Sequence, residues 1–373
     1  MVEGSTIRWT EAGAERAAHW RSESAIPAPK RVVVADDRMT ADAAYRLAGE
    51  GAAILWRGDF HNAKQLLQAL ARRVDRKKIK FATSPLDVFN QHRQAQAQRA
   101  RILGALLLYF DDDYRIDLRR APDVRQACIE AYGVSDGPFV ASLRELLGVI
   151  GAHEWRKKGI DVPAAGGRIH PHYGVFAPIR AEYVKLVNDT PLPSTTLAFD
   201  IGTGTGVLAA LLARRGVQKI IATDQDSRAL ACAKENILRL GFAENVDIVQ
   251  ADLFPPGRAP LIVCNPPWIP ARPNSRLEHA VYDPDSRMLC GFVNRLAAHL
   301  APGGEGWLLL SDLAEHLGLR SRAALLALIQ TAGLHVTGRT DVKSNHPRSQ
   351  DKSDPLHDAR AAEVTSLWRL RLG

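Results

Sequence analysis

No apolar run in this chain of 373 residues approaches a membrane span. The longest, around residues 102–110, has about 9 residues against the roughly 20 that a bilayer requires. Cysteine is scarce: Cys128, Cys232, Cys264 and Cys290 form no short paired spacing, which excludes zinc ribbons and a disulfide framework and leaves no metal site to expect. The first residues, Met1-Val2-Glu3-Gly4-Ser5, lack a cationic stretch followed by an apolar one, so no secretion leader is expected and the reading is cytoplasmic. Repeats and low-complexity tracts are absent too. What the chain has is an apolar fraction of 46%, enough to bury a real core, and a length that fits one large domain plus a smaller one. Net charge is +8. Most of the excess lies early, with about 26 Lys and Arg facing about 20 Asp and Glu in residues 1–160. This bias permits an anionic partner and equally fits a surface kept soluble by charge.

The first 30 residues, with Pro27 and Pro29, read as a loosely held arm. Beyond them the N-terminal part reads as mainly helical. Thr40 and Asp59 are placed to cap helices, and residues 52–57 form a short strand candidate. Phe60, Ala63, Leu66, Leu67, Leu70 and Val74 recur at the helical period, Ser84-Pro85 opens a longer helix, and Pro122 to Tyr132 suggests another. From Thr196 the pattern changes to strands alternating with helices, the signature of a parallel sheet covered on both faces. Strands are expected at 196–201, 219–224, 246–252, 260–264 and 307–311, with a closing pair at 334–342 and 365–372. Asp226 and Asp285 are the expected caps of two intervening helices. The predicted fold class is α/β: a doubly wound, seven-stranded sheet of five parallel strands plus a terminal hairpin in residues 161–373, behind a mainly helical auxiliary domain in residues 1–160.

Three clusters carry chemistry. The first strand ends in Asp200-Ile201-Gly202-Thr203-Gly204-Thr205-Gly206, where glycines let a ligand lie on the backbone. Gly204 to Ala209 also satisfies a G-x-G-x-x-A dinucleotide pattern, so a nicotinamide cofactor stays possible on this motif alone. Asp200, however, suits a cationic ligand such as a sulfonium and would repel a pyrophosphate. Asp224 and Asp252 stand at the next two strand ends. Asp224 can accept from two ribose hydroxyls, and Asp252 from an adenine amino group while the Leu253 N–H reaches a ring nitrogen. The third cluster is Asn265-Pro266-Pro267-Trp268. The prolines stiffen the backbone, the Asn265 side-chain oxygen and the Pro266 carbonyl can both accept from a substrate amino group, and Trp268 can stack on a planar base or amide.

With these residues, the stretch from about 166 to 373 resembles the class I S-adenosylmethionine-dependent methyltransferases, and within them the N-methyltransferases that carry an Asn-Pro-Pro-aromatic motif. Gln250-Ala251-Asp252-Leu253-Phe254 followed by Asn265-Pro266-Pro267 resembles the HemK family of glutamine N5-methyltransferases. His172-Tyr173-Gly174-Val175-Phe176-Ala177-Pro178 is similar to the segment leading into the domain in HemK and in ribosomal-RNA guanine N2-methyltransferases. The resemblance implies that Asp200, Gly202, Gly204, Gly206, Asp224, Asp252, Leu253 and Asn265 serve S-adenosyl-L-methionine, with Asn265, Pro266, Pro267 and Trp268 holding the target nitrogen. Trp268 stands where HemK proteins usually have tyrosine.

The resulting expectation is N-methylation of an exocyclic amino group of a base, with RNA or a ribosomal particle as partner and a protein glutamine as the alternative. A non-catalytic cofactor-binding RNA or assembly factor is the reading from another class. Weaker candidates are His170, His172 and Tyr173 before the first strand, the basic run Arg72, Arg73, Arg76, Lys77, Lys78 and Lys80, and the 343–360 insertion with His346, Arg348, Lys352 and His357. Because the strand before that insertion should run parallel to the others, the insertion should flank the substrate entrance.

Overall fold

The computed structural model describes residues 6–76, 82–273, 277–344 and 347–373. It contains two compact units, Met1–Phe81 with Asn90–Glu154, and Ala82–Phe89 with Trp155–Gly373.

The first unit opens on a β-hairpin, β1 (Thr6–Glu11) and β2 (Ala14–Trp20), where the loose arm was expected. Ile7 and Trp9 point inward between outward Thr6, Arg8 and Thr10, and the turn places Ala12 (φ 51) and Gly13 (φ 80) in the left-handed conformation that two-residue hairpin loops favour. There follow β3 (Val32–Ala35), α1 (Ala41–Gly49), β4 (Ala53–Trp56), α2 (Phe60–Asp75), α3 (Pro85–Gly104), β5 (Leu106–Phe110), α4 (Arg125–Tyr132), β6 (Phe139–Ser142) and α5 (Leu143–Lys158). Thr40 and Asp59 cap α1 and α2 as expected. Helices carry more of this part than strands do, yet the strands form a six-stranded sheet, β1-β2-β6-β5-β4-β3, of which the sequence pattern showed only β4. The reason is length. Strands of four to seven residues hold too few repeats for a period of two, and β5 continues an apolar run that begins inside α3. Helix α4 starts at Arg125, later than Pro122, with the Asp123 carboxylate accepting from the Arg125 N–H.

The second unit bears out the doubly wound expectation. After a small hairpin, β7 (Ile160–Val162) and β8 (Gly167–Ile169), come α6 (Ala181–Asp189), β9 (Leu197–Ile201), α7 (Val207–Arg214), β10 (Lys219–Asp224), α8 (Ser227–Arg239), β11 (Val246–Gln250), β12 (Ala259–Cys264), α9 (Arg287–His299), β13 (Leu300–Ser311), α10 (Leu313–His316), α11 (Arg322–Thr331), β14 (Leu334–Lys343), α12 (His357–Ala362) and β15 (Val364–Leu372). The sheet order is β11-β10-β9-β12-β13-β15-β14, with β9 to β13 parallel and β15 antiparallel to both its neighbours. Leu208 and Leu211 of α7, with Val184 and Val187 of α6, cover one face. Phe292 and Leu296 of α9, with Leu325 of α11, cover the other. The order reverses between β9 and β12, so the loops after these strands open at the switch point, where ligands of open α/β sheets bind.

One expected cap is corrected. Asp285 does not cap α9; Asp283 does, its carboxylate accepting from the Met288 N–H (2.9 Å) and the Leu289 N–H (3.2 Å). Asp285 and Ser286 take the left-handed conformation, which carries the chain from Asp283 into the helix and leaves Asp283 facing its open N–H groups.

Candidate active site

At the end of β9 the chain turns through Gly202 (φ 72), Gly204 (φ 55) and Gly206 (φ 80), a conformation side chains resist. A Cβ on Gly202 would meet the Met288 methyl at 2.4 Å, and one on Gly206 would press on the α8 backbone at Ala233, 3.2 Å away. Gly204 meets nothing within 4 Å. Packing of α9 and α8 therefore dictates the outer two glycines, while the middle one faces open space.

Asp200 lies beneath this loop, 1% exposed. Its Oδ2 accepts from the Thr203 hydroxyl (2.7 Å) and the Ala209 N–H (3.1 Å), tying the loop to the first turn of α7. Burial pushes its carboxyl up to about 6 against these two hydrogen bonds, and the nearby Asp224 adds to the rise. So placed, Asp200 shapes the loop and lends it a field, and offers no exposed contact. Asp224 accepts from the Gly204 N–H (3.0 Å) and the Asp226 N–H (3.0 Å), and burial raises it too. Among the described residues neither acid has a Lys or Arg partner, so the floor of the site is negative and suits a cation better than a pyrophosphate. Asp252 is different. Its side chain is exposed, accepts from the Gln225 amide (2.7 Å) and stands 4.0 Å from Arg295. Leu253 beside it holds φ 71, a strained value for a leucine, with its carbonyl accepting from the Thr223 hydroxyl.

Beyond β12, the Trp268 indole N–H donates to the Asn265 side-chain oxygen at 2.9 Å. One of the two lone pairs expected to face a substrate is thus used within the motif, and the other is left for an incoming N–H. The Arg180 guanidinium sits over the Trp268 ring, 5.3 Å from its centroid, and grips both oxygens of Glu363 (2.7 and 3.2 Å). Glu363 is 1% exposed and also accepts from the Ser311 hydroxyl (2.7 Å). Arg180, Ser311 and Glu363 carry no signal in the sequence that singles them out. Trp268 also borders an apolar cluster of Phe89, Ile269, Leu313, Leu317 and Leu356. Leu356 places the 343–360 insertion against the Asn-Pro-Pro-Trp motif, and Phe89 does the same for the first turn of α3.

The weaker candidates separate. His170 donates from its backbone to Asn236 and rests its ring on the Arg156 carbonyl; His172 meets Glu235 at 2.7 Å, so both dock the lead-in segment onto α8. Tyr173 lies under Arg228 at 5.8 Å. Arg73 is paired with Asp42, while Lys77, Lys78, Lys80 and His346 fall outside the described residues. No group of three or more potential metal ligands occurs among the described residues, and none of the described helices is long and apolar enough to cross a membrane.

Residues 168–321 match the family model of the methyltransferase small domain. The chain is 38% identical over 149 residues to a release factor glutamine methyltransferase of Cereibacter sphaeroides, covering 36% of this chain and 51% of that protein. It is 32% identical over 160 residues to a ribosomal protein L11 methyltransferase of Pelotomaculum thermopropionicum, covering 42% and 44%. It is 38% identical over 74 residues to a tRNA1(Val) (adenine(37)-N6)-methyltransferase of Bacteroides thetaiotaomicron, covering 18% and 31%. The chain thus spans about half the length of the first two relatives and less of the third. Residues 168–321, the stretch similar to a methyltransferase small domain, hold the glycine loop, the three strand-end acids and the Asn-Pro-Pro-Trp motif.

Proposed function

We propose that the protein methylates an exocyclic amino group of a nucleic-acid base, with RNA as substrate and S-adenosylmethionine as methyl donor. The observation that carries this reading is the Asn265–Trp268 pair, an acceptor oxygen and an aromatic ring locked together at the end of β12, one strand from the glycine loop. S-adenosylmethionine, when bound, supplies a methyl group on a positively charged sulfur. Asp224 would hold the ribose hydroxyls and Asp252 and the Leu253 N–H the adenine, while Asp200 keeps the glycine loop in shape. Asn265 Oδ1 and the Pro266 carbonyl accept the two N–H bonds of the target amine and direct its lone pair at the methyl group. The methyl group would come from the bound cofactor with loss of the sulfur's positive charge, and the surplus proton of the methylated nitrogen would pass to solvent water. Positioning and charge complementarity therefore do the catalysis, with no protein nucleophile.

RNA is favoured over protein by Trp268 in place of tyrosine, by the similarity to a tRNA adenine methyltransferase, and by the early basic excess. The second reading, N5-methylation of a protein glutamine, is supported by the similarity to release factor glutamine methyltransferases. The experiment incubates the protein and tritiated cofactor with undermethylated ribosomal particles, then separates RNA from protein. Label in RNA supports the proposal, label confined to polypeptide replaces it with the second reading, and no label with retained cofactor binding favours a non-catalytic factor. In the RNA case affinity falls steeply with salt, and reversing Arg72, Arg73 and Arg76 flattens that slope by about one unit for each phosphate no longer neutralised.

A further inference from the structure

Several arginines of this protein use one edge of the guanidinium alike. The edge formed by Nε and Nη2 grips a carboxylate with both nitrogens in Arg57 on Glu11, Arg99 on Asp75 and Arg369 on Glu305. Arg320 breaks the rule. Its Nε and Nη2, the same edge, are buried and meet no acceptor among the described residues. The acids closest in effect are engaged elsewhere: both oxygens of Glu315 take the Arg322 Nε, and Asp283 caps α9 through Met288 and Leu289. A guanidinium edge withdrawn from water without an acceptor is costly, and burial weakens its hold on the proton without removing the charge.

Its place in the fold is specific. Arg320 follows α10, its N–H on the Ala314 carbonyl, directly after Leu317 and Leu319 of the apolar cluster that borders Trp268. Asp283, whose field reaches it, is bonded on one side to the Ile269 carbonyl, next to Trp268, and on the other caps the helix turn whose Met288 touches Gly202. Arg320 thus follows the helix that packs in the cluster bordering Trp268, and the Asp283 charge that acts on it stands between Ile269 and the first turn of α9.

We infer that the Nε/Nη2 edge of Arg320 is a binding subsite for an oxyanion that presents two acceptor oxygens, a carboxylate or a phosphate. Two sources meet that chemistry: the carboxylate of the cofactor's amino-acid end and a phosphodiester of the substrate strand. The naming of these sources rests on the proposed function; the subsite itself rests on the orphaned fork.

The test compares wild type with Arg320→Met, which keeps the volume of the stem, and Arg320→Lys, which keeps the charge but not the fork. Calorimetry uses S-adenosylmethionine, its decarboxylated analogue, inorganic phosphate and a short single-stranded RNA. If the carboxylate is the ligand, Arg320→Met weakens S-adenosylmethionine by about 10-fold or more, leaves the decarboxylated analogue unchanged, and Arg320→Lys recovers only part of the loss. If the phosphate is the ligand, both cofactor forms bind as before, while phosphate and RNA weaken by about 10-fold and the salt slope falls by about one. In either case the free Arg320→Met protein melts at the wild-type temperature or above it, since an unpartnered buried charge has gone. Affinities for every probe within about two-fold of wild type, or a clear fall in melting temperature, overturn the subsite. Wild-type protein that binds no S-adenosylmethionine sinks the proposed function, and the phosphate arm then decides the subsite on its own.

Discussion

Both units place aspartates at or just beyond strand ends, and Asp59 in the first is treated in the opposite way to Asp200 and Asp224 in the second. In the first unit Asp59, one turn after β4, caps α2 and receives Arg119 and Arg120 at 2.7 Å each. Asp37, after β3, accepts from the Asp59 N–H and the Asn62 amide, and Asp36 closes on Arg38. The Arg120 and Arg119 hydrogen bonds hold the Asp59 carboxyl far below the usual range although burial opposes them. In the second unit Asp200 and Asp224 bond only to hydroxyl and backbone N–H groups of the glycine loop and its flanks, and burial raises both. On the proposed function, Asp200 and Asp224, from which the fold withholds a cation, belong to the ligand site. Asp59, neutralised by arginine, is a fastening.

The largest effect expected from the surroundings of Asp200 and Asp224 is on chemistry. Asn265→Ala removes an acceptor made mainly in the transition state, so methyl transfer falls by about 100-fold or more while cofactor affinity, read by calorimetry, stays within a few-fold. Near-normal turnover removes Asn265 from the reaction.

Next, the comparison itself is put to a paired test. On the proposed function, Asp224→Ala should remove two charge-assisted hydrogen bonds to the ribose and weaken S-adenosylmethionine binding by about 2–4 kcal/mol. Asp59→Ala leaves that affinity unchanged and lowers the melting temperature instead. If Asp59→Ala impaired cofactor binding as much as Asp224→Ala, the distinction between fastening and site would collapse.

A smaller effect is expected at Arg180. Arg180→Met frees the Trp268 ring and, through its indole N–H, the Asn265 carboxamide; turnover drops by about 10-fold with cofactor affinity unchanged, and Arg180→Lys restores part of it. The Trp268 indole resonance, identified by its loss in Trp268→Phe, should shift and exchange faster in Arg180→Met. An unmoved resonance would show that the ring does not depend on the arginine.

The smallest effect lies in pH. Asp200 is raised to about 6, so its contribution to stability is fully present below about 4 and is lost as pH rises through about 6. Asp59 is lowered, so its contribution is present above about 4 and lost below it. Asp200→Asn keeps an oxygen for Thr203 and Ala209 and should flatten the melting temperature between pH 4 and 6 without harm at neutral pH. A profile as steep as that of wild type would show that another group titrates there.

How much of this is legible in the sequence varies with the distance over which the signal acts. The glycine loop, the caps at Thr40, Asp59 and Asp226, and the seven strands of the second unit's large sheet follow from residues within one element of each other, and the sequence pattern shows them; the small β7–β8 hairpin it does not. The β1–β2 hairpin is equally local, announced by alternation in Thr6 to Thr10 and by the Ala12-Gly13 turn, but Pro27 and Pro29 nearby give the same stretch the look of a loose arm. The cap of α9 was expected two residues late because Asp283 and Asp285 are both plausible until the backbone bends. Arg180 and Glu363 are 183 residues apart, and no spacing rule reaches that far.

The sequence by itself determined the periodic and the stereochemical: the helices of several turns and the strands of the large parallel sheet, where a left-handed turn demands glycine, and that residues 262–268 end a strand in a stiff acceptor-rich turn. Only the tertiary structure decided which charges meet. It gave Asp59 two arginines and Asp200 none, locked Trp268 beneath Arg180, and left the Arg320 fork without a protein acceptor among the described residues. The physical reason is that helix and strand propensity act between neighbours along the chain, whereas Coulomb energy, desolvation and hydrogen bonding depend on distance through space, which exists only once the chain has folded.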